Sequence, residues 1–265
     1  MRTVIIPDVH MDCLWVDSIL EREWSRMDKL ICLGDWFDRP NPRAAALNPF
    51  FVTRYLIRLR QKLAAAGKEQ VWLIGNHELT HLELTRNLND VALHRPQLYR
   101  CSGATMSTAA RIHATYRSMG QTWKDFWDAW TWCHVQDGFL ISHAGANLLH
   151  WGDRMGSLTP QAFTAAVEYE AQAFLDRFSP LLAAVGRIRG GPASAGGLVW
   201  QDWEDEFVDI PGVPQIVGHS YNGWSPAAGG DGDAQPWRKG ASWNLDGRQT
   251  CYGVLEDGKV SLHFA

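Results

Sequence analysis

The sequence predicts an α/β fold with a layered, mostly parallel core. The first observation behind this prediction is the alternation of short apolar segments with helical patterns at the start of the chain, which is typical of parallel strands joined by right-handed crossovers. The second is that five apolar segments each end in aspartate, asparagine or histidine. Because ligands bind at the carboxyl ends of strands in such sheets, these endings predict one shared polar site.

Three strands and two helices are predicted at the start of the chain. The strands are short and mostly apolar, and the helices have apolar residues near the helical period. The second helix is followed by Gly67, a residue typical of a helix C-terminus. In chain order we expect a strand at 3–6, a helix at 12–27, a strand at 29–33, a helix at 48–66 and a strand at 70–74.

The middle of the chain interrupts this alternation with two helical segments. We expect a helical insertion at about 79–135 and a second helical segment at about 160–184. The insertion contains an aromatic stripe whose spacing favours helix packing over a ligand platform. The stripe consists of Trp123, Phe126, Trp127 and Trp130.

The end of the chain combines loops with short strands. Glycine and proline are frequent at 186–197 and 222–240, which predicts loops there. Strands near 250–256 and 259–264 are predicted to form a closing hairpin around Asp257-Gly258.

Length, composition and charge are those of an ordinary globular protein. The chain is 46% hydrophobic and 20% charged, and we expect residues 1–265 to form a single domain. The net charge of −4 gives no strong signature of a nucleic-acid partner. No apolar segment approaches the length of a membrane span and no signal sequence precedes the first strand, so no membrane partner is expected. The five cysteines form no Cys-x-x-Cys pair, which predicts reduced thiols and a cytoplasmic location.

The polar residues at the five strand ends supply hard oxygen donors and imidazole nitrogens. This donor set suits Mn²⁺, Fe or Zn²⁺ and differs from a thiolate site. One aspartate can bridge two ions about 4 Å apart, and such a pair can hold both the attacking and the leaving oxygen of a phosphoryl group. Two aspartates would leave a pair of divalent ions with net positive charge, which attracts a phosphate anion. The candidate metal ligands are Asp8, His10, Asp35, Asn76, His143 and His219.

The motifs that contain these residues resemble the calcineurin-like metallophosphoesterase superfamily, whose series reads D-x-H, GD-x-x-D-R, GNH-D/E, a lone H and GH. The resemblance implies a β-sandwich core flanked by helices and a centre of two metal ions. It implies that Asp8 and His10 hold one ion, that Asp35 bridges the two, and that Asn76, His143 and His219 hold the other. In this chain the series is Asp8-Val9-His10, Gly34-Asp35-Trp36-Phe37-Asp38-Arg39, Gly75-Asn76-His77-Glu78, His143 and Gly218-His219.

The same resemblance implies roles for three further residues. His77 would protonate the leaving oxygen, Asp38 would orient His77, and Arg39 would bind phosphate. The remaining six histidines, among them His134 and His263, match no motif position and have no predicted role.

Within the superfamily the chain is most similar to the phosphoprotein (serine/threonine) phosphatase branch and to the diadenosine tetraphosphate hydrolases. Residues 38–39 have that branch's form, and residues 198–202 look like its L-x-W-x-D segment. Residues 245–247 stand where the branch has a D-T-G turn.

Two departures from that branch concern phosphate binding. Pro40 follows Arg39, where glycine is expected. No arginine lies between Trp200 and His219, the region in which the branch carries a second phosphate-binding arginine. Arg187 or Arg189 could take that place.

We therefore expect a dinuclear metal-dependent phosphoesterase that hydrolyses phosphate monoesters by attack of a metal-bridging hydroxide. Mn²⁺ is the preferred metal, with Fe or Zn²⁺ as alternatives. The phosphorylated substrate could be a small molecule, a nucleotide or a phosphoprotein, and the last would make the chain a serine/threonine protein phosphatase. Two alternatives stay open: a hydrolase of nucleotides, dinucleoside polyphosphates or phosphodiesters, and a non-catalytic scaffold. Trp36 could stack on a base at the mouth of the site, although packing is its expected role.

Overall fold

The computed structural model describes residues 1–37, 49–86, 118, 125–151, 159–174, 179–221 and 238–264. Within these residues strands and helices alternate along the N-terminal part and strands dominate the C-terminal part. In chain order the elements are β1 Arg2–Ile6, α1 Cys13–Glu23, β2 Lys29–Cys32, α2 Pro49–Ala65, β3 Glu69–Leu73, α3 Asn76–Arg86, β4 Trp130–Thr131, β5 Cys133–Gln136, β6 Phe139–Ser142, α4 Leu148–Trp151, α5 Pro160–Phe174, α6 Pro180–Ala183, a 3₁₀ turn Arg187–Arg189, β7 Gln215–Val217, β8 Arg238–Lys239, β9 Ser242–Asn244, β10 Cys251–Glu256 and β11 Lys259–Phe264.

The described strands form two mixed sheets. The first has the order β11-β10-β1-β2-β3-β4 and the second has the order β5-β6-β7-β9-β8. In the first sheet β1 to β4 run parallel, and β10 and β11 are antiparallel additions beside β1. In the second sheet β6, β7 and β9 run parallel. The carboxyl ends of the parallel strands therefore lie at one edge of each sheet.

The two sheets pack face to face as a sandwich. Successive side chains of a strand point to opposite faces, so Ile5 packs between the sheets whereas Val4 and Ile6 pack in the other cluster, on the side of α1 and α2. The apolar part of the layer between the sheets is a single aliphatic and aromatic cluster. It consists of Ile5, Ile31, Leu33, Leu73 and Leu255 from the first sheet with Phe139, Ile141, Ile216 and Leu245 from the second.

The helices cover the outer faces of the sandwich. Helix α1 begins after Asp12, whose carboxylate accepts a hydrogen bond from Trp15 N (3.1 Å) and so caps the first turn. Val16 and Ile19 of α1 are fully buried. Helix α5 packs against β5 and β6. None of the described helices has both the length and the hydropathy needed to cross a bilayer.

The predicted α/β fold and the opening strand-helix alternation are confirmed. The predicted strands at 3–6, 29–33 and 70–74 correspond to β1, β2 and β3, which pair in parallel. The closing hairpin is also confirmed, with Asp257 (φ 51°) and Gly258 (φ 71°) in the left-handed conformations that a two-residue hairpin turn requires.

The prediction of helix over the whole of 79–135 is wrong at its C-terminal end. Trp130 and Thr131 form β4, which pairs in parallel with β3, and residues 133–136 form β5. The run Trp-Thr-Trp-Cys-His-Val is rich in aromatic and β-branched residues, which fit a half-buried strand. Trp123 and most of the rest of the segment lie outside the described residues.

Candidate metal centre

Strand ends from both sheets meet at the predicted site. The segments after β1, β2 and β3 come from the first sheet, and those after β6 and β7 come from the second. Two hydrogen bonds join the two groups of segments: His143 Nδ1 to Leu33 O (2.9 Å) and His219 N to Asp8 Oδ1 (2.9 Å). A third, from Gly218 N to His143 O (2.7 Å), joins the segments after β6 and β7 to each other. The site therefore forms only when the two sheets are packed together.

One group of potential ligands combines two carboxylates with two imidazoles. Asp8, Asp35, His143 and His219 each offer one ligand atom, and these atoms all lie within 4.8 Å of one another. The Asn76 amide adjoins them, 2.9 Å from His143 Nε2. With its NH₂ group turned towards the cluster, it also reaches His219 Nδ1 and Asp35 Oδ2, both at 3.0 Å. All five predicted residues thus surround one point.

A second group shares Asp35 with the first. His10, Asp35 and His77 offer ligand atoms that also lie within 4.8 Å of one another. His10 Nε2 is 3.8 Å from Asp8 Oδ2 and 3.9 Å from Asp35 Oδ2, and His77 Nε2 is 3.7 Å from Asp35 Oδ2. Asp35 lies between the two groups, which is the placement that a bridging carboxylate requires.

Three of the predicted ligands have a left-handed backbone conformation. His10 (φ 44°), Asp35 (φ 52°) and His219 (φ 69°) all have positive φ, a conformation that costs on the order of 1–3 kcal/mol for residues other than glycine and concentrates at functional sites. This conformation directs their side chains out of the sheet edge. A residue in the extended conformation would instead continue the pleat of the strand. This concentration of strain supports a binding role for the site.

Gly34 and Gly75 permit the close approach of two strand ends. Gly34 has φ 112°, and a Cβ at this position would lie 2.6 Å from Gly75 N. A Cβ at Gly75 would overlap Asp35 Oδ1. Glycine is the residue that satisfies both the positive φ and the contact distance.

Glu78 holds the segment around Asp35 in place. Its buried carboxylate accepts hydrogen bonds from Asp35 N (2.6 Å), Trp36 N (2.8 Å) and Gly75 N (3.0 Å). The sequence contains Glu78 in the third motif, but the pattern assigned it no role. A side chain that binds backbone N–H groups of distant residues leaves no periodic signal in the sequence.

Burial and neighbouring charge set the protonation preferences of the potential ligands. Burial and the Asp246 carboxylate raise the pKa of Asp8, and burial with the Asp8 carboxylate raises the pKa of Asp35. Burial lowers the pKa of His143 to about 3 and, together with the Arg189 guanidinium, also lowers the pKa of His219. The neutral imidazoles can therefore offer a lone pair to a cation. A cation between the crowded carboxylates would also reduce the repulsion between their negative charges.

The residues present fit a pair of divalent ions. Asp8 Oδ2 is buried beside the cluster and has no hydrogen-bond partner among the residues that the structure describes. A buried carboxylate oxygen in that situation is stabilised by a cation. Carboxylate, amide and imidazole donors are those that Mn²⁺, Fe and Zn²⁺ accept.

The structure brings together seven of the predicted site residues and leaves two untested. The seven are Asp8, His10, Asp35, Asn76, His77, His143 and His219. Asp38 and Arg39 lie outside the described residues. Trp36, which was considered for base stacking, is fully buried against Tyr55 and Trp72 and therefore packs in the core.

Two further polar residues adjoin the centre. Asp246 follows β9 and is buried near enough to Asp8 and Asp35 to raise the pKa of each. Arg189 pairs with Asp202 Oδ2 (2.9 Å) and donates to Ser220 Oγ (2.6 Å), next to His219 in the chain. Of the two arginines considered from the sequence, Arg189 is the one whose charge acts on both His143 and His219.

Comparison with known proteins gives a family match over almost the whole chain. A profile described as calcineurin-like phosphoesterase matches residues 1–262. A search of curated protein sequences gave no match. Among solved structures, a cold-active protein-tyrosine phosphatase of a psychrophilic Shewanella species is similar with a TM-score of 0.59 at 16% identity, over 98% of this chain and 80% of that one.

Two further structures are more distant. A protein described as a putative diadenosine tetraphosphatase has a TM-score of 0.46 at 16% identity, over 100% of this chain and 93% of its own. A protein serine/threonine phosphatase from Saccharomyces cerevisiae has a TM-score of 0.46 at 13% identity, over 100% of this chain and 80% of its own.

Proposed function

The chain belongs to the calcineurin-like phosphoesterase family, whose members are metal-dependent phosphoester hydrolases, and from this premise we propose that its substrates are phosphate monoesters. The observation that supports the proposal is the position of Asp35 between two groups of ligand atoms at one sheet edge. Such an arrangement can hold a phosphate group from two sides. Phosphorylated small molecules and phosphoserine or phosphothreonine in proteins are both members of this substrate class.

We propose that two divalent ions bind at this edge, with Mn²⁺ as the preferred metal and Fe or Zn²⁺ as alternatives. Asp8 lies within reach of both groups of ligand atoms. Following the family resemblance, Asp8, His10 and Asp35 would hold one ion, and Asp35, Asn76, His143 and His219 would hold the other. When bound, such ions activate water at neutral pH and neutralise charge on phosphate oxygens.

The protein's own groups would orient the substrate and supply a proton. The backbone N–H of His77 donates to Asp35 Oδ1 (3.0 Å), which fixes the first turn of α3 and places the imidazole beside the shared carboxylate. We assign His77 the transfer of a proton to the leaving oxygen. Asp38 would orient His77, and Arg39 would bind the phosphate.

The nucleotide and phosphodiester alternative gains no support from the described aromatic side chains. Trp36, Trp127 and Trp130 are all buried in the core, and Trp123 lies outside the described residues. We also propose that the chain is one domain, because both sheets contribute to one centre.

We propose a reducing compartment such as the cytoplasm for this protein. The described cysteines support this proposal because they form no disulfide; they are Cys13, Cys32, Cys133 and Cys251.

The test is the ratio of kcat/KM for para-nitrophenyl phosphate to that for its bis-ester, measured with Mn²⁺ and again with a chelator. We expect a strong monoester preference that the chelator abolishes. Asp35→Asn should remove activity on both substrates, whereas Asp257→Asn, in the closing hairpin, should retain it because asparagine suits the same turn. Preference for the bis-ester would replace this proposal with the phosphodiester alternative, and inactivity on both esters, phosphopeptides and nucleotides would favour the scaffold.

A further inference from the structure

A cavity of about 360 Å³ opens beside helix α2, away from the candidate metal centre. Ile57, Arg60 and Ala64 of α2 form one wall, and the segment Asp125-Phe126 forms another. Gln70 also lines the cavity and lies near the amino end of β3. The metal centre lies at the carboxyl ends of the strands, so the cavity is a separate place in the fold.

The cation in this cavity is the Arg60 guanidinium, which is partly buried. Its Nη1 donates a hydrogen bond to the carbonyl oxygen of Phe126 (3.1 Å). Within the part of the chain that the structure describes, no carboxylate lies within ion-pair distance of it, and burial lowers the pKa of Arg60. A partly buried cation gains stability when an anion pairs with it. The cavity therefore favours an anionic ligand.

Hydrogen bonds hold Arg60 in a defined position. Its backbone carbonyl accepts from Gln70 Nε2 (3.2 Å), and Gln70 Oε1 in turn accepts from Trp72 Nε1 (2.9 Å). The bond to Phe126 uses one N–H of the guanidinium, which has five, so donors remain for a ligand. A group that is already positioned loses little conformational entropy on binding.

The lining of the cavity selects the kind of anion. A guanidinium fork matches the two oxygens of a planar carboxylate. Ile57, Ala64 and Phe126 supply apolar contacts, and a ring on the ligand could pack against that of Phe126. Asp125 brings one negative charge to the cavity, which opposes a second negative charge on the ligand. The volume is at the lower end of the range for small-molecule sites, which suits one or two rings.

We propose that this cavity binds a small aromatic monocarboxylate, with Arg60 holding the carboxylate and the apolar lining contacting the ring. The inference goes beyond the proposed function, because the cavity shares no residue with the metal centre. The ligand binds without a covalent step. It contacts both α2 and the segment Asp125-Phe126 and so holds the two together.

The first experiment uses two probes of the same shape, 2-naphthoate and the neutral 2-naphthamide. Both are titrated into the full chain by calorimetry at neutral pH. We expect 2-naphthoate to bind with a Kd on the order of 1 mM or tighter, as is typical of a ligand of this size. The amide should bind at least about tenfold more weakly, because it lacks the charge that pairs with the guanidinium. Failure of 2-naphthoate to bind, or equal affinity for the two probes, would overturn the inference.

The charge of Arg60 is tested with a matched pair of variants. Arg60→Met keeps an apolar stem but removes the cation, so it should weaken 2-naphthoate binding by at least about tenfold and leave 2-naphthamide binding unchanged. Arg58→Met is the control, because Arg58 is exposed on the same helix and outside the cavity lining. It should bind both probes as the natural protein does. Unchanged 2-naphthoate binding in Arg60→Met would refute the role of Arg60.

The place of binding is tested without changing the charge. Ala64→Phe puts a large side chain in the cavity and should weaken both probes by at least about tenfold, and it covers the case in which Arg60→Met does not fold. Asp35→Asn removes the shared ligand of the metal centre and should leave 2-naphthoate binding unchanged. If instead Asp35→Asn abolished binding and Ala64→Phe retained it, the carboxylate would lie at the metal centre and the inference would be wrong.

Discussion

At the scale of single residues, His77 is the side chain whose role is easiest to isolate. It lies in the first turn of α3, its backbone N–H donates to Asp35 Oδ1, and its ring makes an edge contact with that of His10 at 5.2 Å between centroids. The imidazole is therefore close to the shared carboxylate on the side of the second ligand group. Under the proposed function, a proton donor at this place would assist departure of the leaving oxygen.

We expect His77→Asn to affect substrates according to their leaving group. Turnover of phenyl phosphate, a poor leaving group, should fall by about 100-fold or more, while turnover of para-nitrophenyl phosphate should fall by less than about tenfold. The measurement is kcat for both substrates at saturating Mn²⁺. His263→Asn, on β11 and away from the site, is the control. Equal losses on the two substrates would contradict proton donation by His77.

The residues that the sequence could predict are those that follow a strand in a recognisable order. Asp8, Asp35 and His143 were found because each directly ends an apolar run. Glu78 has no role predicted from the sequence, since it acts on backbone N–H groups of another segment. The sequence offers both Arg187 and Arg189 without a choice between them, since both come from an irregular turn. Contacts of that kind depend on the folded arrangement of loops, which leaves no period in the sequence.

At the scale of elements, a polar pair joins the two sheets at β2 and β5. Lys29 Nζ lies 2.9 Å from His134 Nε2, and Glu69 on β3 pairs with the same ammonium group at 3.4 Å. Burial and the Lys29 charge lower the pKa of His134 to about 4, against the opposing effect of Glu69. His134 is thus neutral in the folded protein at pH values where the unfolded chain binds a proton.

This pair should make stability depend on pH between about 4 and about 6.5, the folded and the ordinary pKa of His134. Because the folded pKa is lowered, the contribution is fully present above the ordinary value and is lost as the pH falls towards the folded value. The test is the free energy of unfolding in urea for the natural protein and His134→Gln from pH 7 to pH 4.5. The natural protein should lose stability relative to the variant as the pH falls.

A companion variant identifies the cause of the shift. In Lys29→Met the ammonium charge is absent, so the pKa of His134 should rise and the pH dependence should shrink. If the natural protein and both variants showed parallel curves, titration of His134 would have no part in stability.

The elements were predicted well where pairing is local and poorly where it is not. Strands β1 to β3 and helices α1 and α2 follow one another in the chain, and their order alone gives the parallel arrangement. Trp130 was placed on a helix because it continues a four-then-three spacing with Trp127. In the structure it pairs with Trp72 of β3, across more than fifty residues of sequence, and such distant pairing is invisible to a local period.

At the scale of the whole molecule, the centre joins the two halves of the sandwich. Asp8, His10, Asp35 and Asn76 follow strands of the first sheet, whereas His143 and His219 follow strands of the second. The sequence pattern predicted a parallel layered core, and the family resemblance, not the periodicity, supplied the second sheet. A cation held by ligands from both sheets therefore stabilises the packing of one on the other.

Removal of the metal should lower the stability of the whole fold. A ligand that binds only the folded state contributes about 2.7 kcal/mol when its free concentration is 100 times Kd, and for a chain of this size that amounts to roughly 5–10 °C in Tm. We expect a chelator to lower Tm by this amount and added Mn²⁺ to restore it. Asp35→Asn should melt near the chelated protein and respond to neither reagent, whereas Asp257→Asn should respond as the natural protein does. Ions held by ligands from both sheets cannot leave without loosening the packing of one sheet on the other. If metal analysis showed the loss of two ions while Tm stayed constant, the ions would not bridge the sheets.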